Sequence, residues 1–251
     1  MAVTSADIVL YASANMPQND SKTSGGSINR GVRVTFTDPS SAAQIIVFSS
    51  STSDTSQVLA LKGRNAAGAI IVENVSLDGT TNVTSANTFE RILTANLNAG
   101  GVGNITVSGN GVNQIAEIPI GESGFLRPFY DVTADASSSK TMYEKIFVKN
   151  NNTSSTLDSA TLSPVAATGL ASQITYGVED GKASPQSVSN RITAPTGVDI
   201  FGSGATGVYP SGTGILTPHD YQGVWLKLTV DANASAINSF YEIQVSGTTS
   251  S

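Results

Sequence analysis

The sequence contains no cysteine. Disulfides, thiolate nucleophiles and cysteine-ligated metals are therefore excluded. Histidine is almost missing as well, and His219 is the only one. Charge is scarce. Asp, Glu, Lys and Arg make up 13% of the 251 residues, against about 25% in an ordinary soluble protein. No run of basic residues occurs and the net charge is −6, so the electrostatic footprint of a nucleic-acid binder is lacking. No stretch approaches the roughly 20 apolar residues of a membrane-spanning helix. The opening stretch MAVTSADIVLYASANMP has neither the basic start nor the long apolar centre of a secretory leader. The Asn-x-Ser/Thr triplets at Asn74, Asn82 and Asn104 are therefore read as composition, not as glycosylation sites. Neither nucleic acid nor membrane is expected as a partner.

Ser, Thr, Asn and Gly supply the polarity that charge does not. These residues are poor in helix interiors and good in turns and on exposed strand faces. The bias points to β structure, and short apolar runs agree. ADIVLYAS sets Ile8 and Leu10 on one face, Val9 and Tyr11 on the other. RVTFTD, AQIIVFSS, QVLALKG, AIIVENVSLDG and NITVSG follow, punctuated by Gly and Asp. In the second half come YEKIFVKN, TLDSATLSPVA, SQITYGVED, SNRITAP, VDIFGSG, QGVWLKLTVDA and FYEIQVSG. Strands of this length with such turn signals read as a sandwich or a barrel. One segment, TFERILTANL, spaces Phe89, Ile92, Leu93 and Leu97 like a short helix or turn, and Phe89, Ile92 and Leu93 could equally cover the end of a sandwich. In YEKIFVKN, Ile146 and Val148 are expected on the buried side, with Phe147 partly covered at an edge. Asp78-Gly79 and Asp180-Gly181 are turn signals, and DANASAINS reads as a hairpin or sandwich-end loop.

The Gly- and Asn-rich stretch SGNGVNQ, residues 108–114, reads as a seam. It predicts an all-β chain of two sandwich domains, residues 1–112 and 117–251, with at most one or two short helices. Pro119 limits its strand to an edge or a lead-in.

Candidate chemistry is thin. His219 lacks the orienting partner and nucleophile that a general base needs. Residues 202–207, GSGATG, have the spacing of a dinucleotide loop, but Val208, Tyr209 and Pro210 follow, so no helix N-terminus can receive a phosphate. GESGF lacks the spacing of a nucleophile elbow. The dispersed acidic residues give no calcium-loop pattern. No enzyme activity, cofactor or metal is expected. The residues marked for contact are Ile8, Leu10, Tyr11 and Met16 in an extended N-terminal segment, and the cluster Phe125, Arg127 and Phe129. Aromatics and Arg are enriched at interface hot spots, although an apolar plug between domains is the plainer reading of the cluster. Trp225 reads as core or as an anchor on a partner.

The set YEKIFVKNNN, ATL, SNRITAPTG, QGVWLKLTVDANA and FYEIQVSG resembles the immunoglobulin-like β-sandwich modules of tailed-bacteriophage virion proteins. There, a KIFVKN-like strand opens the sandwich, and GVWLKLTV-like and Y-x-I-x-V-S-G-like strands close it. The N-terminal half resembles a companion domain of phage structural proteins. The resemblance implies a virion component made in bacterial cytoplasm, with no catalytic residues. It implies a capsid decoration or cement protein, a dimer or trimer docking on the major capsid protein. A neck, tail or fibre adaptor and a carbohydrate-binding module for host surfaces are the alternatives.

Overall fold

The computed structural model describes residues 2–17, 19–110, 113–130, 132, 135–167, 174–198, 201–202, 206–207, 214–234 and 241–250. Among them the chain is all-β, with 17 strands and no helix. It divides into two compact units. One joins Met1–Asn29 to Phe129–Ser251, and the other is Arg30–Pro128.

The unit Arg30–Pro128 is a sandwich. Strand β2 (Ser24–Val34) enters it at Arg30. Its last residues lie parallel to β10 (Gly124–Leu126), with Val32 opposite Gly124. From β10 the sheet continues through β7 (Arg91–Leu97) and β4 (Val58–Arg64) to β5 (Ile70–Ser76). The facing sheet runs β6 (Val83–Phe89), β3 (Ala43–Ser49), β8 (Ile105–Gly109), β9 (Asn113–Ile118). Alternation decides which side chains fill the space between. In β3, Ile45 and Val47 point inward; in β4, Leu59 and Leu61 do so. They meet Phe89, Ile92, Ala95, Ile105, Val107, Ile118 and Phe125 in one core.

Two expectations are corrected here. TFERILTANL is not a helix but the end of β6 and the whole of β7. Ile92 and Leu93 are both buried, and the register shift between Lys62 and Gly63 opposite them marks a β-bulge that breaks the strand's alternation. The 108–114 seam is not a linker between domains. It is the β8–β9 hairpin, paired from Ile105↔Ile118 to Gly109↔Asn113 inside one unit; Gly111 and Val112 lie outside the described residues. The chain instead crosses between units at Asn29/Arg30 and at Pro128/Phe129. Two crossings mean that one unit is inserted into the other, which a single composition seam cannot signal.

In the other unit, one sheet runs β13 (Ile174–Lys182), β16 (Tyr221–Val230), β11 (Lys140–Asn150), β1 (Ile8–Asn15), β2, with β14 (Ser187–Val188) pairing β2 as well. A smaller sheet runs β15 (Thr206–Gly207), β12 (Thr156–Ala167), β17 (Tyr241–Ser250). Tyr176 of β13 donates its hydroxyl to Leu162 O of β12 at 2.8 Å. Strand β11 is buried on both faces, contrary to the one-sided expectation. Phe147 packs with Val9 and Tyr11, and Met142 with Leu228 and Val230. Asp180-Gly181 is not a turn. It falls within β13 beside the register shift between Val178 and Lys182. SNRITAP is not a strand but a turn held by Asn190 Oδ1, which accepts from Ile192 N–H and Thr193 Oγ–H. The DANASAINS loop reaches into 235–240, and the 202–214 loop into 203–205 and 208–213, outside the described residues.

Candidate functional site

The residues marked for contact do not converge on a surface. Strand β1 lies between β11 and β2, with Leu10 opposite Val148 and Tyr11 opposite Phe147. A strand paired on both sides has no backbone groups left to add to a neighbour's sheet. The N-terminal docking segment is thereby withdrawn. Tyr11 is buried, Ile8 and Leu10 are half-buried, and Met16 receives Ser13 Oγ–H at its sulfur (3.3 Å). Phe125 is wholly buried on β10. Arg127 is buried too, with Nη2 2.6 Å from Asp38 Oδ1 and donating to Phe36 O at 2.8 Å. Both belong to Arg30–Pro128, whereas Phe129 begins the other unit. Phe129 is half-buried in the left-handed region (φ 55°), and its N–H donates to Glu144 Oε2 at 2.7 Å.

His219 is exposed, with φ 65°. Its neighbour Asp220 is committed elsewhere: Thr217 Oγ–H donates to Asp220 Oδ2 at 2.6 Å, and Lys182 Nζ lies 2.7 Å from the same oxygen. Trp225 is core, with no exposed surface. Among the phenylalanine, tyrosine and tryptophan side chains whose burial is described, none falls in the exposed class. Among those residues no group of three metal-ligating side chains occurs.

The polar residues instead build the loops. Asn150 is fully buried, and its Nδ2 donates to Ser155 O at 3.0 Å and Leu216 O at 2.9 Å. Its Oδ1 accepts from Asn152 N–H, and Asn152 Oδ1 in turn accepts from Ser155 N–H. Asn151 donates through Nδ2 to the Tyr11 hydroxyl and accepts from Lys149 Nζ. The three consecutive asparagines thus act as a cap that replaces missing strand partners. In the other unit Asp54 plays a similar part. It accepts from Ser49 Oγ–H and from the N–H groups of Val102 and Gly103, at 2.8 Å and 2.9 Å for the two amides. Burial raises its carboxyl, and these donors outweigh that and hold it below the usual range.

Two buried charge clusters were not read from the sequence. In the first, Glu144 Oε1 lies 3.2 Å from Arg191 Nη1, and both side chains are buried. Arg191 Nη2 also meets Asp20 Oδ1 at 2.7 Å, and Lys140 Nζ meets Asp20 Oδ2 at 2.6 Å. Burial pushes Glu144 up to about 7, against the Phe129 N–H and Arg191. Burial also raises Asp20, but its bonds to Lys140 and Arg191 prevail and its pKa is lowered. In the second, Lys145 Nζ lies 2.8 Å from Glu179 Oε1, at 0% and 2% side-chain exposure. A signal was present: Glu144 and Lys145 are adjacent on one strand, so one of them faces inward whichever face is covered.

No family model, curated protein or solved structure matches this chain.

Proposed function

We propose that this chain is a non-enzymatic structural protein of a tailed-phage virion, a decoration or cement protein on the outer face of the capsid shell. The observation that carries the reading is the use made of polar side chains. Asn150, Asn152, Asp54 and Asn65 bind backbone groups and hold loops in fixed shapes. Such loops give a rigid contact surface without large apolar patches, which suits a protein that stays soluble until it assembles. The motif strands fit the resemblance: KIFVKN in β11 and GVWLKLTV in β16 are antiparallel neighbours, with Ile146 opposite Val224. The immunoglobulin-like label belongs to this proposal.

Docking then falls to loops and edge strands. Strand β5 is an edge, with Ile70 and Val72 exposed at 42% and 65%. A dimer or trimer matched to local symmetry axes of the shell is the assembly this implies. Burial of Trp225 weighs against a carbohydrate platform, which presents aromatic faces outward.

The test is quantitative mass spectrometry of virions that carry this protein, together with co-sedimentation of the purified chain with capsids lacking it. Abundance comparable to the major capsid protein and saturable binding support decoration. A small number of copies per particle, recovered with tails, would replace it by the adaptor role. Binding on a glycan array without capsid binding would favour host-surface recognition.

A further inference from the structure

The second charge cluster is built in a way that an ordinary ion pair does not require. Lys145 stands on β11 and Glu179 on β13, and β16 runs between these strands. The two side chains meet beside Gly223 of β16. A Cβ at that position would fall inside the van der Waals envelope of Glu179 Oε2 and 2.8 Å from Lys145 Cε. The missing side chain therefore makes the room in which the two groups touch. Aromatic rings close the space: Lys145 Nζ lies 4.7 Å from the centre of the Phe147 ring and 5.9 Å from that of Trp225.

The polar contacts are asymmetric. Glu179 Oε1 receives Trp225 Nε1–H at 2.9 Å as well as Lys145 Nζ. Glu179 Oε2 is buried and has no hydrogen-bond partner. Lys145 Nζ also donates to Ser184 O at 2.7 Å. A charged pair in a dry site is costly to maintain, and transfer of one proton from the ammonium to the carboxylate leaves two neutral groups. Burial also draws Lys145 below its usual range, opposed by Glu179.

We propose that Lys145 and Glu179 are the site of an intramolecular amide cross-link, formed without an added reagent between the Lys145 amine and the Glu179 carboxyl. After the proton passes from Nζ to Oε1 across their 2.8 Å contact, the acid and the amine are both neutral. The Nζ lone pair forms a bond to Glu179 Cδ, while Trp225 Nε1–H donates to Oε1 and stabilises it as the departing oxygen. Ser184 O holds one amine hydrogen and so orients the lone pair. The Cδ–Oε1 bond breaks, Oε1 leaves with its proton and one proton from nitrogen, one water is released, and Oε2 remains as the amide carbonyl. No oxidation state changes. The product ties β11 to β13 across β16. Cross-links of this kind limit the unfolded ensemble as a disulfide does, and this chain has no cysteine to make one.

Intact mass spectrometry of the purified full-length protein, denatured after prolonged incubation in the folded state, tests the proposal. The expected mass is that of the sequence less one water, and proteolysis is expected to yield a branched peptide joining Lys145 to Glu179. Lys145→Met and Glu179→Ala are each expected to restore the full sequence mass. Trp225→Phe is expected to slow the mass loss several-fold. A wild-type protein that keeps its full sequence mass throughout overturns the proposal, whether or not the variants fold. Loss of one water mapped to other residues overturns it equally.

Discussion

Glu144 offers a quantitative test of how this protein handles buried charge. Its carboxyl is enclosed, with Arg191 on one oxygen and the Phe129 amide on the other. Arg191 already has an anionic partner in Asp20, so a charge on Glu144 is a second anion on one guanidinium. Burial therefore prevails, and the carboxyl rises from its ordinary 4.5 to about 7. The folded state then holds a proton that the unfolded chain has released. A folded pKa above the unfolded one contributes stability that is complete below the unfolded value. That contribution is lost as pH rises through the folded value. The displacement from 4.5 to about 7 corresponds to about 3 kcal/mol of stability present at the acid end of this window and absent above it.

Urea unfolding midpoints of the wild type and of Glu144→Gln, compared across that window, measure it. Glutamine keeps an acceptor for the Phe129 amide and cannot ionise. The difference between the two proteins removes groups that titrate identically in both. Asp20 does not interfere, because its depressed pKa places its loss below the ordinary value of 3.8. The variant is expected to match the wild type near the acid end and to exceed it at the alkaline end by up to about 3 kcal/mol. A wild-type advantage that grows with pH would refute the reasoning, because it would mean that Glu144 is ionised and stabilised by Arg191.

Three further outcomes are expected. Deleting residues 1–20 removes β1 from between β11 and β2 and takes Asp20 from Arg191. Hydrogen exchange should then show lost protection in β11 and β16, and retained protection there would contradict the topology. Gly223→Ala places a methyl group against Glu179 Oε2 and Lys145 Cε and should cost about 1–3 kcal/mol as overpacking, read as the thermal midpoint with Trp225 fluorescence as reporter; an unchanged midpoint would mean that the pocket yields. Asp54→Ala should cost about 3 kcal/mol, since a buried charged acceptor leaves its donors unpaired. Amide exchange should accelerate at Val102 and Gly103, in the loop before β8, more than within β8 itself, and uniform exchange would assign Asp54 no local role.

How much of this was legible depends on how far each signal reaches along the chain. Alternation is local, so Leu59 and Leu61 share a face on the letters of QVLALKG alone, and the all-β class followed from many such runs; in AQIIVFSS four successive apolar residues leave no alternation from which to choose Ile45 and Val47. Burial on both faces is not local, and Phe147 in the doubly buried β11 reads as only partly covered for that reason. Pairing irregularities are not local either: Phe89, Ile92 and Leu93 read as helical because a bulge in β7, opposite Lys62 and Gly63, breaks the alternation. The insertion of Arg30–Pro128 into the other unit was hidden for a related reason: β2 changes units in mid-strand, at Asn29/Arg30, and its glycines Gly25, Gly26 and Gly31 lie inside a strand and not in a linker. The contact residues failed because an exposed aromatic and a core aromatic have the same letter. Phe125 fills the core between two sheets, and Tyr11 packs against Phe147. The charge clusters were half-legible. Glu144 beside Lys145 shows that one charge must turn inward, but its partners Arg191 and Asp20 are brought there only by tertiary folding. Gly223 carries the same lesson in reverse, because a residue with no side chain has a function only once Lys145 and Glu179 are seen to meet beside it. In a chain so poor in charge, the few ionic groups buried in β11 are therefore where substitution should separate a structural brace from an inert core, and mass, not binding, is the first quantity to measure there.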